Sequence, residues 1–165
     1  MNAFDQMPDN AMVWIYAANR KLLSQEQDLI RNRVDTFMQT WTAHDMPVKS
    51  ASAILHDVFV VLMADPQASE ISGCGIDKSL AFFKSLTAET GIDFFNRMSI
   101  ELLTLDGLII CDKAGAAAML QAGTIDETTL TFDKTLTQKH AFDTRFTIPL
   151  TQSWFYRYIK PAVEV

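Results

Sequence analysis

Apolar and polar positions follow two different periods along the chain, and these periods predict the order of the elements. A short apolar, β-rich run over residues 12–17 predicts a first strand. Apolar residues then recur at helical spacing from Ile30 to Trp41, which gives one apolar and one polar helix face. Ser24 and Gln27 have the spacing of a capping box, so the helix is predicted to start there.

The middle of the chain changes to strand character and then back to helix. Residues 48–64 contain an alternating segment and a continuous apolar run, separated by the polar pair His56-Asp57. This pattern predicts a hairpin that reverses at His56-Asp57. A second amphipathic helix is predicted from Ile76 onward, with Asp77 as a candidate cap and Gly91 as its end.

A further strand at 99–105 completes the order β-α-β-β-α-β. That order is typical of ferredoxin-like domains, in which two helices cover one face of a four-stranded antiparallel sheet. The sequence therefore predicts an α+β fold in a single domain, 1–165, with a ferredoxin-like core over 11–105 and a C-terminal α/β extension over 106–165 packed on the core. In the extension, a turn is predicted at Asp106-Gly107, a returning strand at 108–111, a helix at 113–120 and a strand at 128–132.

Composition narrows the class of protein. The chain has 165 residues, of which 48% are hydrophobic and 21% charged, as in ordinary globular proteins. Its net charge is −6 with dispersed basic residues, which argues against nucleic acid as a partner. Neither a signal-peptide pattern nor an apolar run near the ~20 residues of a bilayer span is present, so a cytoplasmic protein without a membrane span is expected.

The two cysteines, Cys74 and Cys111, are too few for a disulfide framework and lack metal-ligand spacing. Neither a metal nor a cofactor is therefore predicted.

The segment Ser72–Ser79 concentrates the candidate chemistry. Small residues followed by a lysine and a serine at a helix start resemble the loops whose backbone N–H groups bind phosphates. The phosphate-loop pattern G-x-x-x-x-G-K-[ST] would place glycine at positions 72 and 77, where this chain has Ser72 and Asp77. A carboxylate directly before Lys78 puts negative charge where the phosphates would lie. An ATPase is therefore disfavoured.

The segment is still compatible with anion binding. Backbone N–H groups at a helix start, together with an ammonium group, attract anions. The leading hypothesis is a non-enzymatic module that binds a small anionic ligand or a protein partner near residues 72–79. The predicted ligand-binding residues are Gly73, Cys74, Gly75, Asp77, Lys78 and Ser79.

The alternative hypothesis is a cysteine-dependent enzyme or redox protein. A helix start lowers the pKa of a nearby thiol, which would activate Cys74, and His56 is the weak candidate for its base, with His44 and His140 as further histidines. A tight helix entry explains the flanking glycines equally well, and a buried cysteine packs as a small apolar residue. The question of catalysis stays open, with the balance toward a non-enzyme.

The aromatic segment near the C-terminus has two interpretations. Trp154, Tyr156 and Tyr158 are compatible with a tail packed on the domain and with an exposed contact patch. A homodimer is compatible with the sequence as well.

Four segments of the chain resemble a family of small, uncharacterised bacterial proteins that have sometimes been labelled ABC transporter ATPases. They are Val13–Arg20, Ile54–Asp57, Ser72–Ser79 and Pro149–Trp154. The resemblance spans most of the chain and implies a cytoplasmic domain without an established activity or catalytic residues. The ATPase label conflicts with the register of residues 72–79 and with the lack of an ABC signature segment.

Overall fold

The computed structural model describes residues 2–67, 71 and 73–162, apart from the side chain of Cys74. Its helices are α1 (Ser24–Thr40), α2 (Gly73–Thr90), α3 (Lys113–Gln121), α4 (Lys139–Arg145) and α5 (Tyr156–Ile159). Its strands are β1 (Met12–Ala17), β2 (Thr42–Ala43), β3 (Met46–Pro47), β4 (Ser50–Leu55), β5 (Phe59–Ala64), β6 (Ile100–Thr104), β7 (Gly107–Cys111), β8 (Leu130–Phe132) and β9 (Thr147–Pro149). Among the described residues, no helix is long and apolar enough to cross a bilayer.

The α+β class with antiparallel sheets is confirmed, and the chain forms two compact units. The first contains Met1–Asn96 and Thr135–Asp143, and the second contains Arg97–Lys134 and Thr144–Val165. The boundary near residue 96 lies ahead of the predicted division at 105/106, so that β6 belongs to the second unit. That the extension packs on the core stays a prediction.

The larger sheet of the first unit has the order β1-β5-β4, with antiparallel neighbours throughout, and β2 and β3 form a separate two-stranded sheet. The predicted hairpin is confirmed, because β4 and β5 reverse at His56 and Asp57, whose φ angles are 52° and 58°. Both outer strands run antiparallel to β5 and hence parallel to each other, with α1 as the crossover between β1 and β4. This is the split β-α-β half of the predicted ferredoxin-like arrangement.

The full ferredoxin-like order is not confirmed, because β6 does not join this sheet. The tight turn at Asp106-Gly107 pairs β6 with β7, and β8 takes the other side of β6. The outer edge of β1 is contacted instead by residues from later in the chain: the Val13 N–H donates to the Thr137 carbonyl at 2.9 Å, and Met12 bridges to Gln138.

Both helices of the first unit bury their apolar stripes against one face of the sheet. Ile30 and Val34 of α1 and Phe83 and Leu86 of α2 are nearly inaccessible to water, and they share one cluster with Val60 and Leu62 of β5. Every residue of β5 is buried, which explains why its sequence is apolar without alternation. The core of this unit therefore lies between the sheet and the two helices.

The start of α1 differs from the predicted capping box. Leu23 is the N-cap residue, and its N–H donates to Glu26 Oε2 at 2.8 Å. Arg20 holds that carboxylate in a two-point ion pair, and this contact together with the Leu23 N–H lowers the pKa of Glu26 to about 2. Gln27 instead donates to the Leu22 carbonyl and to Asp57. The prediction of Ser24 and Gln27 was wrong because the capping acid lies one residue earlier.

The sheet of the second unit has the order β7-β6-β8-β9. The predicted turn at Asp106-Gly107 is confirmed, and Gly107 has a φ of 111°. Asp112 caps α3 by accepting the Gly115 N–H at 2.8 Å. The core of this unit is a cluster of buried residues from the sheet, α3 and the C-terminal segment, namely Ile100, Leu102, Ala116, Ile125, Leu150, Phe155 and Ile159.

Candidate functional site

The predicted segment at the start of α2 is helical from Gly73 onward. Asp77 therefore lies in the second turn and is not a cap, which corrects that prediction. Gly73 and Asp77 are exposed. Ser72 and the side chain of Cys74 lie outside the described residues, so the roles proposed for them stay predictions.

Gly75 is explained by close packing. The Trp41 Nε1–H donates to the Gly75 carbonyl at 2.9 Å within the protein interior. A Cβ atom at position 75 would lie 3.3 Å from Ile71 Cγ2 and 3.4 Å from Ala43 Cβ. Only glycine lets α2 approach Trp41 and β2 this closely without displacing a neighbour.

The polar side chains that follow are engaged within the protein. Lys78 Nζ donates to the Thr42 carbonyl at 3.1 Å and to Thr42 Oγ1 at 2.8 Å, which occupies two of its three protons. Ser79 is fully buried, and its hydroxyl donates to the Ile76 carbonyl of the preceding turn at 2.7 Å. Lys78 and Ser79 thus both make hydrogen bonds to other residues of the protein.

The candidate histidines occupy turns and a helix. His44-Asp45 and His56-Asp57 each close a tight hairpin turn, and all four residues have φ between 50° and 62°. Asp57 also accepts a bond from Gln27 Nε2 at 3.0 Å. His140 lies in α4. Aspartate and histidine are among the non-glycine residues that adopt this left-handed conformation most often, so the two His-Asp pairs have a local structural explanation.

Cys111, at the end of β7, is a poor nucleophile. Partial burial raises its pKa to about 11, and the carboxylates of Asp112 and Glu101 contribute to the same shift. The thiol is therefore protonated at neutral pH.

A buried ion pair in the second unit was not predicted from the sequence. Glu101 of β6 is 1% exposed, and both of its carboxylate oxygens lie 3.0 Å from Lys134 Nζ. Ser99 donates its hydroxyl proton to Glu101 Oε1 at 2.6 Å, and Lys134 Nζ also donates to the Ser99 carbonyl at 2.7 Å. The ion pair neutralises a carboxylate that is shielded from water.

The C-terminal segment has some residues packed in the core and others exposed at the surface, so each of its two interpretations holds for part of the segment. Phe155 and Ile159 are buried in the core of the second unit, whereas Trp154 and Tyr158 are 49% and 55% exposed. The Trp154 ring contacts both Phe155 and Tyr158 edge to face, with centroids 5.7 and 6.3 Å apart. The buried residues Phe155 and Ile159 thus hold the rings of Trp154 and Tyr158 at the surface.

Two cations surround Tyr158. The Arg157 guanidinium carbon lies 4.6 Å from the centroid of the Tyr158 ring, and Lys113 Nζ of α3 lies 5.2 Å from it. Within the described part of the chain, neither Arg157 nor Lys113 has a carboxylate partner. We call Lys113, Trp154, Arg157 and Tyr158 the aromatic-cation cluster.

An open cleft of about 410 Å³ adjoins this cluster. Its walls are formed by residues that include Trp154, Arg157, Thr151 and Ser153, and the Ser153 hydroxyl donates to the Leu150 carbonyl at 2.7 Å. On the remaining wall, the Tyr156 hydroxyl donates to Glu127, which raises the pKa of Tyr156. The cleft therefore offers an aromatic surface, a guanidinium and hydrogen-bonding groups.

The sequence analysis identified the aromatic residues of this cluster but missed its cations. The alternation of aromatic and basic residues in Trp154–Lys160 was an available signal for Arg157. Lys113 lies 45 positions before Tyr158 and reaches it only because α3 and α5 pack together.

Comparisons of the chain with protein-family models, with curated proteins and with solved structures find no match. The fold and the site define a class: the described residues form an α+β protein with three antiparallel sheets and an exposed aromatic-cation cluster.

Proposed function

We propose that this protein is a non-enzymatic binding module that recognises an acidic segment of a protein partner through its aromatic-cation cluster. The observation that carries the proposal is the exposed pair Trp154 and Tyr158, with Arg157 and Lys113 beside Tyr158 and no carboxylate neutralising either cation among the described residues. The function rests on surface recognition and requires no reacting group.

The composition of the cluster supports recognition of a protein. Tryptophan, tyrosine and arginine are the residues that most often dominate binding energy at protein interfaces. Phe155 and Ile159, which are buried in the core of the second unit, anchor the backbone segment that carries Trp154, Arg157 and Tyr158. Two unneutralised cations select an acidic partner, even though the chain as a whole carries a net charge of −6.

The binding test uses a short fluorescent peptide in which glutamate alternates with phenylalanine, titrated with the full chain and followed by fluorescence anisotropy. We expect saturable binding that weakens with added salt, because the attraction is partly between exposed charges. Trp154→Ala and Arg157→Gln should each weaken binding by about tenfold or more, the loss expected of a central interface residue.

The matched control is Lys84→Gln, which removes one exposed positive charge from α2 in the first unit. It should leave the affinity within about twofold, since Lys84 is not among the residues that form the aromatic-cation cluster. Equal losses for Lys84→Gln and Arg157→Gln, equal binding of a peptide with lysine in place of glutamate, or no binding at all would contradict the proposal.

The cysteine hypothesis is tested by thiol alkylation of the folded protein across pH, with the two thiols separated by peptide mass mapping. Cys111 should react slowly at pH 7 to 8, with a rate that continues to rise toward pH 11, because its pKa is raised to about 11. A catalytic Cys74 would already react fast at pH 7. If Cys74 titrates like an ordinary thiol near 8.5, the cysteine-enzyme hypothesis is wrong.

The proposal of a small anionic ligand at residues 73–79 has its own readout. Lys78 has one proton left for such a ligand, and Gly73 has open space where a side chain would lie. Inorganic phosphate and a panel of anionic metabolites should then raise the melting temperature of the protein, and Lys78→Met should abolish that shift. An unchanged melting temperature for every anion would leave this location without support.

A further inference from the structure

Strand β4 is an edge of the first unit's sheet, and its backbone geometry is defined by its pairing with β5. The Asp65 N–H donates to the Lys49 carbonyl at 2.9 Å, and these two residues lie opposite each other in the register. Residues 49, 51, 53 and 55 therefore direct their backbone groups toward β5, because directions alternate along a strand. The backbone N–H and carbonyl groups of Ser50, Ser52 and Ile54 point outward.

These outward groups have no hydrogen-bond partner among the described residues. The strand also lacks the features that usually protect an edge. It contains no charged residue, no proline and no bulge, and its register with β5 is unbroken over six residues. β4 is thus a ready template for a further strand.

The outer edge of β7 differs in this respect. Asp106 and Asp112 flank β7 at its two ends. In an antiparallel pair of two copies centred on Ile109, Asp106 of one copy would lie opposite Asp112 of the other, which is unfavourable. An antiparallel pair of β7 strands in this register therefore places like charges opposite each other.

The surface beside β4 is self-complementary in charge. A small cleft of about 120 Å³ lies between α1 and β4, with Arg31 and Asp35 of α1 and Ser52–Ile54 of β4 in its walls. Both charged residues are exposed, and Arg31, which lies one helical turn before Asp35, also pairs with Asp28 of its own helix at 3.1 Å. A twofold axis at this edge reverses the direction of α1 in the second copy. It thereby brings the Arg31 side of one helix to the Asp35 side of the other.

We infer that β4 is a homodimer interface, in which β4 pairs antiparallel with β4 of a second copy about a twofold axis at Ser52. Ser52 then lies opposite Ser52 of the partner, and Ser50 lies opposite the partner's Ile54. The three outward residues supply about six backbone hydrogen bonds across the axis, two for each opposed pair. The two three-stranded sheets become one continuous antiparallel sheet.

Disulfide trapping tests both the interface and its register in the full chain with Cys74 and Cys111 replaced by serine. In the proposed dimer the two Ser52 Cα atoms are about 5.5 Å apart, within reach of a disulfide, so Ser52→Cys should give a covalent dimer under mild oxidation. Ser50→Cys is the matched control, since its two Cα atoms would be about 14 Å apart. A mixture of Ser50→Cys and Ile54→Cys chains should cross-link again.

Sedimentation of the unmodified chain provides an independent measurement. We expect a dimer in solution and a shift toward monomer in Ser52→Pro, which removes an outward N–H. A monomeric wild-type chain at several hundred micromolar would overturn the inference. Equal cross-linking of Ser52→Cys and Ser50→Cys would also overturn it, because that result excludes a fixed register about Ser52.

Discussion

Replacing Lys134 with methionine is expected to lower the free energy of unfolding by about 3–5 kcal/mol. Glu101 is 1% exposed, and Lys134 is the cation whose Nζ lies 3.0 Å from its carboxylate. Removing the ammonium leaves a buried carboxylate with the Ser99 hydroxyl as its remaining described donor. A buried, unpaired charge costs far more than the intact pair contributes. Urea unfolding followed by circular dichroism measures the change.

Two further variants separate charge from packing in this experiment. Glu101→Leu combined with Lys134→Met removes both charges and should recover most of the lost stability, because an apolar pair of similar volume often replaces a buried ion pair without cost. Lys84→Met makes the same chemical change at an exposed position and should alter stability by less than about 0.5 kcal/mol. Similar losses for Lys84→Met and Lys134→Met would show that burial of Glu101 is not the cause.

Trp41→Ala is expected to lower the free energy of unfolding by a similar amount, about 3–5 kcal/mol. Trp41 is 1% exposed and lies between Trp14 and Phe37, with ring centroids 5.6 and 5.2 Å away. Its removal leaves a large cavity and also removes the donor to the Gly75 carbonyl. Because this bond ties α2 to the end of α1, the start of α2 should lose protection in hydrogen exchange.

Trp154→Ala is the natural control, because it removes the same side chain at a position that is 49% exposed. It should lower stability by only about 1–2 kcal/mol, for the lost ring contacts, while weakening peptide binding, whereas Trp41→Ala should spare peptide binding in the fraction that remains folded. Trp41→Phe retains much of the packing and should cost about 1–3 kcal/mol for the lost hydrogen bond. Equal destabilisation by Trp41→Ala and Trp154→Ala would contradict the role assigned to Trp41.

The local pattern of hydrophobic and polar residues was sufficient to predict most of the individual helices and strands. The bounds of β1 agree with the apolar run at 12–17, and the reversal at His56-Asp57 follows from the only polar interruption between two apolar segments. Gly91, with a φ of 71°, ends α2 as expected. These features depend on neighbouring residues in the chain, so the sequence records them directly.

Pairing between distant segments was not predictable in the same way. The hydrophobic pattern of β6 does not specify its neighbours, and β6 becomes an inner strand of the second unit's sheet, between β7 and β8. The turn at Asp106-Gly107 brings β7 to β6 at a small entropic cost, and the segment around Thr137 takes the edge of β1. Neither of these two pairings can be read from the hydrophobic pattern of β6 itself.

The candidate site shows the same division between local and distant information. The sequence alone predicted β1, the β4–β5 hairpin and the two amphipathic helices of the first unit, and it left open whether Trp154 and Tyr158 are packed or exposed. Tertiary structure decided that Gly75 serves the approach of Trp41, that Lys78 bonds Thr42 and that Lys113 reaches Tyr158. The physical reason is that hydrophobic periodicity encodes which face of an element is buried, whereas the partner of a charged or aromatic side chain depends on how separate elements pack.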